Sequence, residues 1–435
     1  MKCVRKIERA MARVLVPASL SAMLMTSQGC GLQNRATPPR ELFAITHAAL
    51  NRVSFFDLEA RTVVGVLPTE KLPHDMLLDP DSRTLYVVSS GSQNISTYAL
   101  GTEALWEEAR KFMEKDSTNP GPATGGPATM ARTSSRPVPG KGTGSSGGTV
   151  LNPDPVQVLP AAVAAHYLTD PAFPEQAADG HARAGALSHN SCFDCHQRSV
   201  GAKPFAPVFS SDSSRIYLIH LAGKNLTILE KRTMNVLRVI PLSLDGDFTP
   251  IEAWVDSSEM TALVTFRAEI GQSKPGRIAI VNLRAGEVST VIPAGIYPWH
   301  ILPTGSGHTF YVNNFQSSRI SVFDLARGAI VDSIVVQNGP AMMLLVPDQN
   351  LLLVSCFYTD RVLFINTITH SIERELAVDA NPTSMEFSAD RRSLYVLCGG
   401  ESTLLEIETE GWSTTARHHL VSGAYAMQRV ALPPL

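Results

Sequence analysis

The feature that most constrains the fold of this chain is a short strand pattern that returns about every 42 residues. In each copy an alternating run, such as Ile320 to Asp324, ends in an acidic, amide or small residue. The last residues of the seven copies are Asp57, Ala99, Glu230, Asn282, Asp324, Asn366 and Glu408. The steps between them are 42, 131, 52, 42, 42 and 42 residues, so one unit carries an 89-residue insertion and another a 10-residue insertion.

A proline marks the start of the next unit. It follows the strand pattern by 16 residues in four units, and the insertions delay it in two others. These prolines are Pro73, Pro204, Pro250, Pro298, Pro340 and Pro382. A unit of about 40 residues with four short strands is typical of a propeller blade, because a four-stranded sheet buries both faces only by stacking against neighbours. The sequence therefore predicts an all-β fold, a seven-bladed β-propeller over residues 42–435.

The two ends of the repeat region complement each other. The repeat begins at Leu42 with a second strand and no first strand. At the C-terminus, Tyr425 to Val430 aligns with first strands such as Thr383 to Phe387. We expect the C-terminal segment to supply the missing inner strand of the first blade and to close the ring.

The repeats resemble those of a known family. Segments such as Leu85 to Val87 and Phe310 to Asn314 are similar to the repeats of the YVTN family of seven-bladed propellers. The resemblance covers roughly 300 residues and implies the fold, but it implies little about function. Seven-bladed lactonases and dehydrogenases share this architecture, and the sequence shows no carboxylate cluster of the kind that would support a metal-dependent lactonase.

The residues that follow the proline markers are predicted to share one face of the propeller. That face is where each fourth strand crosses to the next blade, and it surrounds the mouth of the central channel. The predicted mouth residues are His74, Asp75, Ile251, Glu252, Trp299, His300, Met342, Ser384 and Tyr425.

The large insertion lies in the second blade and is divided in two by the sequence pattern. Residues 101–154 begin with a predicted short helix, Glu103 to Lys115, and continue as a flexible tract rich in Gly, Pro, Ser and Thr. Val156 to Pro160 resembles Val64 to Pro68 and is predicted to be the fourth strand. Residues 161–203 would then leave the ring on the face of the channel mouth.

The second insertion contains the motif Cys192-Phe193-Asp194-Cys195-His196. C-x-x-C-H is the spacing that attaches a c-type haem, with Cys192 and Cys195 as the attachment points and His196 as an axial iron ligand. The sequence therefore predicts one covalent haem c. A redox-active disulfide, a zinc site completed by His181 or His189, and an inert motif remain as alternatives.

A second axial ligand would have to come from elsewhere in the chain, because only a few residues separate the motif from the next blade. The candidates are His181 and His166 in the insertion and His74 and His300 at the mouth. The identity of this ligand would distinguish electron transfer from activation of a small molecule.

The N-terminus resembles a bacterial lipoprotein signal. Basic residues precede the short apolar run from Val14 to Met25, and Gly29-Cys30 follows it, although Ser27 departs from the usual aliphatic residue. The resemblance implies that residues 1–30 are an export signal, that Cys30 becomes lipidated, and that residues 31–41 form a linker. A plain cleaved signal and an uncleaved anchor are the alternatives. We expect a protein of the periplasm or outer surface that is anchored to a membrane.

The remaining cysteines, Cys356 and Cys398, stand 42 residues apart in equivalent positions of neighbouring blades. Stacked sheets lie about 10 Å apart. A disulfide requires Cα atoms closer than about 7 Å. Two free, buried thiols are therefore predicted.

These features favour one function and leave two others open. The favoured function is an exported, lipid-anchored c-type haem propeller that transfers single electrons to a redox partner protein, acting as a monomer. The first alternative is a peroxidase-like or oxidase-like haem enzyme with an open site at the mouth, so enzymatic activity is undecided. The second alternative is a non-catalytic surface propeller that binds a protein or polymer. A net charge of −3 gives no argument for nucleic acid as a partner.

Overall fold

The structure, a computed structural model, describes residues 40–79, 83–118, 195–269 and 272–432. Within these residues the strands form seven four-stranded antiparallel sheets. The first strand of each sheet contacts the first strands of its two neighbours all the way round, so these strands line the centre. The chain is therefore a seven-bladed β-propeller, as the repeat predicted.

Blade 1 is built from both ends of the repeat region. Its order from inside to outside is β28 (Ala424–Leu432), β1 (Arg40–His47), β2 (Arg52–Asp57) and β3 (Thr62–Pro68). Leu42 is paired with Val430 and Ala44 with Gln428 in the antiparallel ladder between β1 and β28. The predicted closure of the ring by the C-terminal segment is confirmed.

Blade 2 contains β4 (Pro73–Asp79), β5 (Thr84–Ser89), β6 (Asn94–Ala99) and β7 (Cys195–Ser199). Its outer strand, β7, forms an antiparallel ladder with β6 in which Cys195 pairs with Tyr98 and His196 with Thr97. This position corrects the sequence analysis, which placed the fourth strand at 156–160, a segment outside the described residues. All inserted residues consequently lie between β6 and β7, and residues 195–199 of the predicted haem-attachment loop belong to the sheet.

The distance between the outer strand and the next proline marker explains why residues 195–199 form β7. In four other blades the outer strand ends five residues before the next proline marker, at positions 68, 293, 335 and 377. Strand β7 ends at Ser199, five residues before Pro204. The short connection to the next blade, rather than local similarity to Val64 to Pro68, selects the outer strand.

Blades 3 to 7 each use four consecutive strands, from inside to outside. Blade 3 is β8 (Pro204–Phe209), β9 (Arg215–His220), β10 (Asn225–Glu230) and β11 (Val236–Pro241). Blade 4 is β12 (Phe248–Val255), β13 (Thr261–Ala268), β14 (Arg277–Asn282) and β15 (Glu287–Pro293). Blade 5 is β16 (Pro298–Pro303), β17 (Thr309–Asn314), β18 (Arg319–Asp324) and β19 (Ala329–Val335). Blade 6 is β20 (Pro340–Val346), β21 (Leu351–Cys356), β22 (Arg361–Asn366) and β23 (Ile372–Ala377). Blade 7 is β24 (Pro382–Phe387), β25 (Ser393–Cys398), β26 (Thr403–Glu408) and β27 (Ser413–His419). Two 3₁₀ turns lie at Ala48–Leu50 and Pro347–Gln349.

The hydrophobic core lies between the blades. All residues of a middle strand such as Leu351–Cys356 are buried, whereas the outer strand Ile372–Ala377 of the same blade is mostly exposed. Aromatic side chains join neighbouring sheets, as where the ring centroids of Phe364 in blade 6 and Trp412 in blade 7 lie 4.8 Å apart, edge to face. Each sheet thus buries both faces, which fixes the positions of the inner strands.

One α-helix, α1 (Glu103–Thr118), follows β6 and packs on β3 of blade 1. It confirms the helix predicted in the first insertion. Its Trp106 packs edge-on against Phe55, with ring centroids 4.9 Å apart, and donates from Nε1 to the Leu100 carbonyl at 2.9 Å. Gly65 on β3 permits the close approach, because a Cβ there would lie 3.0 Å from the Cβ of Ala109.

Cys356 and Cys398 are free and buried, which confirms their prediction. They belong to separate hydrophobic clusters, one between blades 5 and 6 and the other between blades 6 and 7. Among the described residues, the structure contains no helix with the length and hydropathy needed to cross a bilayer.

Candidate functional site

The C-x-x-C-H motif ends at the outer rim of blade 2. Cys195 and His196 are the first two residues of β7, the strand farthest from the centre in this sheet. Cys192 lies outside the described residues, as do the proposed ligands His166 and His181 and the lipidation site Cys30.

The rim position separates the motif from the channel mouth. His196 pairs with Thr97, Thr97 with Tyr86, and Tyr86 with Leu77 on β4, three residues beyond His74. Three strand spacings of about 4.8 Å and three residues at about 3.3 Å put the Cα atoms of His196 and His74 roughly 17 Å apart. The expectation that the motif and the mouth share one face was therefore wrong, because β7 begins at the opposite end of the sheet.

The two mouth histidines accordingly lie far from the motif. His74 is on the inner strand of blade 2, and His300 is on the inner strand of blade 5. A single iron requires both axial imidazoles within bonding distance of one porphyrin plane, and this placement argues against either residue as the partner of His196.

In each of blades 2 to 7, a β-bulge near the start of the inner strand shapes the mouth of the central channel. The ladder register shifts just after the proline marker in blades 2 to 7, for example between Pro73 and Asp75 and between Pro298 and Ile301. A proline at the first ladder position donates no hydrogen bond, and a bulge re-aims the residues beside it. Buried Asn313 stabilises the blade 5 bulge by accepting from the His300 backbone N–H at 2.7 Å.

The bulged residues enclose a cavity of about 270 Å³ at the mouth, and all seven blades contribute to its lining. The lining includes His74, Asp75, Glu252, Trp299, His300, Met342, Ser384 and Tyr425. Every mouth residue predicted from the sequence except Ile251, which is buried, lines this cavity. The proline markers, together with the alignment of Tyr425 with the first strands, were sufficient to find these residues but not Phe315 and Phe357, which also line the cavity.

Aromatic rings form a connected band along the cavity wall. Ring-centroid distances are 4.3 Å between Tyr425 and His74, 4.0 Å between His74 and Phe205, and 6.2 Å between Phe205 and Trp299. The band continues through Phe315, 5.8 Å from Trp299, to Phe357 at a further 5.8 Å. We call these residues the aromatic collar: Tyr425, His74, Phe205, Trp299, Phe315 and Phe357.

A histidine–carboxylate pair lies within the collar. His74 Nδ1 is 3.1 Å from Asp75 Oδ2, which also accepts the Ala206 backbone N–H at 3.2 Å. Burial by itself raises the pKa of Asp75, but the charge and hydrogen bond of His74 and the Ala206 hydrogen bond bring the pKa below its usual value. Asp75 is therefore ionised at neutral pH.

A second pair, Glu252 and His300, lies across the cavity. Glu252 Oε1 is 3.8 Å from His300 Nε2 and accepts the Ile301 backbone N–H at 3.4 Å. Burial, with a further contribution from the negative charge of Asp75, raises the pKa of Glu252 well above its usual value. Burial also lowers the pKa of His300 to about 4, against the opposing attraction of Asp75. His300 is therefore neutral at neutral pH, and Glu252 gains a proton more readily than an exposed glutamate does.

Two nitrogen atoms of this site have no hydrogen-bond partner among the described residues. They are His74 Nε2 and His300 Nδ1, and both are buried. The mouth therefore offers these two ring nitrogens and the carboxyl oxygens of Asp75 and Glu252 to a ligand in an apolar, aromatic setting. The described residues contain no group of three or more His, Cys, Asp or Glu arranged to hold a metal ion.

Comparison with known proteins supports the fold. No protein-family description matches the chain. Antigen Lp49 of Leptospira interrogans is 26% identical over 149 residues, which are 31% of this chain and 32% of that protein. The match thus spans about a third of the curated relative's length.

Two solved structures with the same fold illustrate how widely it is used. The periplasmic gluconolactonase PpgL of Pseudomonas aeruginosa aligns with a TM-score of 0.57 at 11% identity, covering 91% of this chain and 100% of that one. The dihydro-haem d1 dehydrogenase NirN aligns with a TM-score of 0.52 at 13% identity, covering 89% of this chain and 74% of that one. At such low identity these likenesses establish the class of protein, a seven-bladed β-propeller, and not its chemistry.

Proposed function

We propose that this protein is an exported, lipid-anchored propeller that carries one c-type haem at the rim of blade 2 and passes single electrons to a redox partner. One observation carries the proposal: Cys195 and His196 of the C-x-x-C-H motif begin the outermost strand of a blade. Attachment at this rim puts a haem edge within reach of another protein. The repeats' similarity to the YVTN family is compatible with this arrangement, since that fold hosts many activities.

The residues present fit a haem. The motif supplies two thiols and an imidazole in the order that haem attachment uses. Strand β7 pairs only with β6 among the described residues, so one of its edges is open to a bulky group. When bound, a haem supplies an iron that gains and loses one electron. Cys192 and Cys195 hold the group, and His196 binds the metal.

The geometry favours electron transfer over an enzyme with its open site at the mouth. The mouth lies roughly 17 Å from the motif, by the strand spacing and rise of a β-sheet. A small molecule in the cavity would not touch an iron at the rim. NirN, named as a dehydrogenase of dihydro-haem d1, shows that this fold and haem-type molecules occur together in at least one protein.

Haem staining after denaturing electrophoresis tests the proposal in a host that attaches haem to exported proteins. The natural chain should stain, and the double substitution Cys192→Ala with Cys195→Ala should abolish the stain while the protein remains folded. The double substitution Cys356→Ala with Cys398→Ala is the matched control and should retain the stain, because these thiols are buried in the core. An unstained natural chain in a host that stains a known c-type cytochrome would refute the proposal.

The lipid anchor is tested separately. Metabolic labelling with a radioactive fatty acid should mark the natural chain, and Cys30→Ser should release an unlabelled protein into the soluble fraction. Labelling that survives the substitution would show that another residue carries the lipid, and an unlabelled natural chain would refute the anchor.

A further inference from the structure

The cavity at the mouth is a second site, independent of the haem motif. All seven blades line it, and its volume is about 270 Å³. Pockets for drug-sized ligands usually measure about 300–1,000 Å³, so this cavity suits a smaller molecule. The collar supplies large apolar faces, and the half-buried carboxyl groups of Asp75 and Glu252 supply polarity.

The charges around the cavity select against anions. Its lining contains two carboxyl groups, Asp75 and Glu252, and no Lys or Arg among the described residues. Arg267, on neighbouring strand β13, instead stacks on the Tyr297 ring at 5.6 Å from its centroid. An anionic ligand would face the ionised Asp75 with no lysine or arginine of the lining to offset the repulsion.

The hydrogen-bonding groups of the cavity favour a ligand that donates hydrogen bonds. His74 Nε2 has no hydrogen-bond partner among the described residues, and the His74 side chain is only 7% exposed. Asp75 adds a carboxylate beside it, and Glu252 adds a second carboxyl group across the cavity. A ligand that satisfies these acceptors carries several N–H groups on one centre.

The aromatic collar favours a cationic ligand. A cation over the face of Trp, Tyr or Phe is attracted by the ring quadrupole, by up to about 2 kcal/mol when desolvated. We propose that the mouth binds a small primary ammonium ion, with its N–H groups on Asp75, His74 and Glu252 and its apolar part against Trp299 and Phe205.

Three probes of one shape and different charge test this proposal. They are benzylammonium, benzyl alcohol and benzoate, each titrated calorimetrically into the full-length exported protein. We expect benzylammonium to bind at least tenfold more tightly than benzyl alcohol, and benzoate to bind least. Equal affinity for ammonium and alcohol would mean an apolar pocket without charge selection. Preference for benzoate, or no binding of benzylammonium tighter than about 1 mM, would overturn the proposal.

Substitutions locate the bound ion. Asp75→Asn and Trp299→Leu should each weaken benzylammonium at least tenfold, and Asp75→Asn should leave benzyl alcohol nearly unchanged. Asp332→Asn, on the outer strand of blade 5, is the matched control and should bind like the natural chain. Circular dichroism and the thermal midpoint verify folding of each variant. The haem-free variant with Cys192→Ala and Cys195→Ala should bind with the same constant, so this proposal and the haem proposal fail independently.

Discussion

Thr46 and Ala426, 380 residues apart in the chain, share two hydrogen bonds across the sheet that closes the propeller. Thr46 Oγ1 accepts the Ala426 backbone N–H at 3.1 Å, and Thr46 Oγ1 lies 3.4 Å from the Ala426 carbonyl oxygen, to which it donates. The Thr46 side chain is fully buried. The junction between the two ends of the repeat region therefore has side-chain as well as backbone bonding.

This junction makes the C-terminal segment essential to the fold. Removing residues 424–435 deletes the inner strand of blade 1 and uncovers Phe43 and Ile45, both fully buried. We expect the truncated protein to lose its cooperative thermal transition, measured by circular dichroism, or to aggregate. A sharp transition at the natural midpoint would contradict this.

A single substitution at the same junction should measurably lower the free energy of unfolding. Thr46→Val leaves the Ala426 N–H without its acceptor and should lower the free energy of unfolding by about 1–2 kcal/mol. Thr415→Val, on exposed strand β27, is the matched control and should change it by less than about 0.5 kcal/mol. Chemical denaturation measures both.

Acid should loosen the same blade through His47. Its Nε2 is 2.7 Å from Ser54 Oγ and its Nδ1 is 3.2 Å from the Ser422 carbonyl oxygen. Burial lowers the pKa of His47 to about 4. The unfolded chain, with a pKa near 6.5, binds more protons between these values. The stabilisation is therefore complete above about pH 6.5 and is lost as the pH falls towards 4, by on the order of 3 kcal/mol.

Denaturation at several pH values checks this contribution. His47→Gln should show a shallower loss of stability than the natural chain between pH 6.5 and pH 4. His308→Gln, at an exposed position, should keep the natural slope. Parallel curves for all three proteins would exclude His47 as a contributor.

The absorption spectrum of the proposed haem, in its reduced form, should not depend on the mouth. His74→Ala and His300→Ala should leave the spectrum and its response to carbon monoxide unchanged, because both residues lie at inner strands and the motif lies at the rim. His181→Ala or His166→Ala should create carbon monoxide binding if either residue is the sixth ligand. A spectral change in either mouth variant would show that the rim and the mouth meet.

Benzylammonium binding should release a proton from Glu252. Burial and the repulsion of Asp75 raise the pKa of Glu252 in the free protein, and a bound cation stabilises its ionised form, so binding should lower this pKa. Proton release makes affinity rise with pH up to the raised pKa. Calorimetry in two buffers of different ionisation enthalpy measures the release.

Two variants test whether Glu252 is the source of the released proton. Glu252→Gln should abolish the buffer dependence of the binding enthalpy. Glu386→Gln should preserve it, since burial also raises the pKa of Glu386 but this residue does not line the cavity. Buffer-independent heats in the natural chain would contradict the role of Glu252.

Cys356 and Cys398 should be inert in the folded protein. Burial raises the pKa of each thiol to about 12, so almost no thiolate is present at neutral pH. Iodoacetamide should label both cysteines after unfolding and neither before, as read by peptide mass spectrometry. A linked pair of peptides would contradict the assignment of free thiols.

The sequence was sufficient for the ring and for its mouth. A proline marks the inner strand of six blades and Tyr425 to Val430 aligns with those strands, so the order of blades, the closure and most of the lining residues could be derived by counting. The aromatic collar was only partly foreseen. Phe315 and Phe357 belong to it, yet each follows a second strand rather than a proline marker. Their approach to the mouth depends on how the blades pack together.

The outer strand of blade 2 was missed for a related physical reason. An edge strand has one ladder and an exposed face, so its alternation is weak and Val156 to Pro160 matched as well as Cys195 to Ser199. The distance to Pro204 decides between them, because the crossover to the next inner strand has a fixed length. The hydrogen bond from Ala206 to Asp75 and the approach of His300 to Glu252 were equally invisible, since those contacts form across blades.

Strand β7 also has a kinetic consequence. About 95 residues separate it from β6, against four between β2 and β3, and the entropy lost on closing the longer chain is greater by about 3 kcal/mol. We therefore expect the strand that bears Cys195 and His196 to pair last within its sheet and to separate from β6 first. In the proposed function, a haem-attaching enzyme would therefore act on the motif before this edge closes.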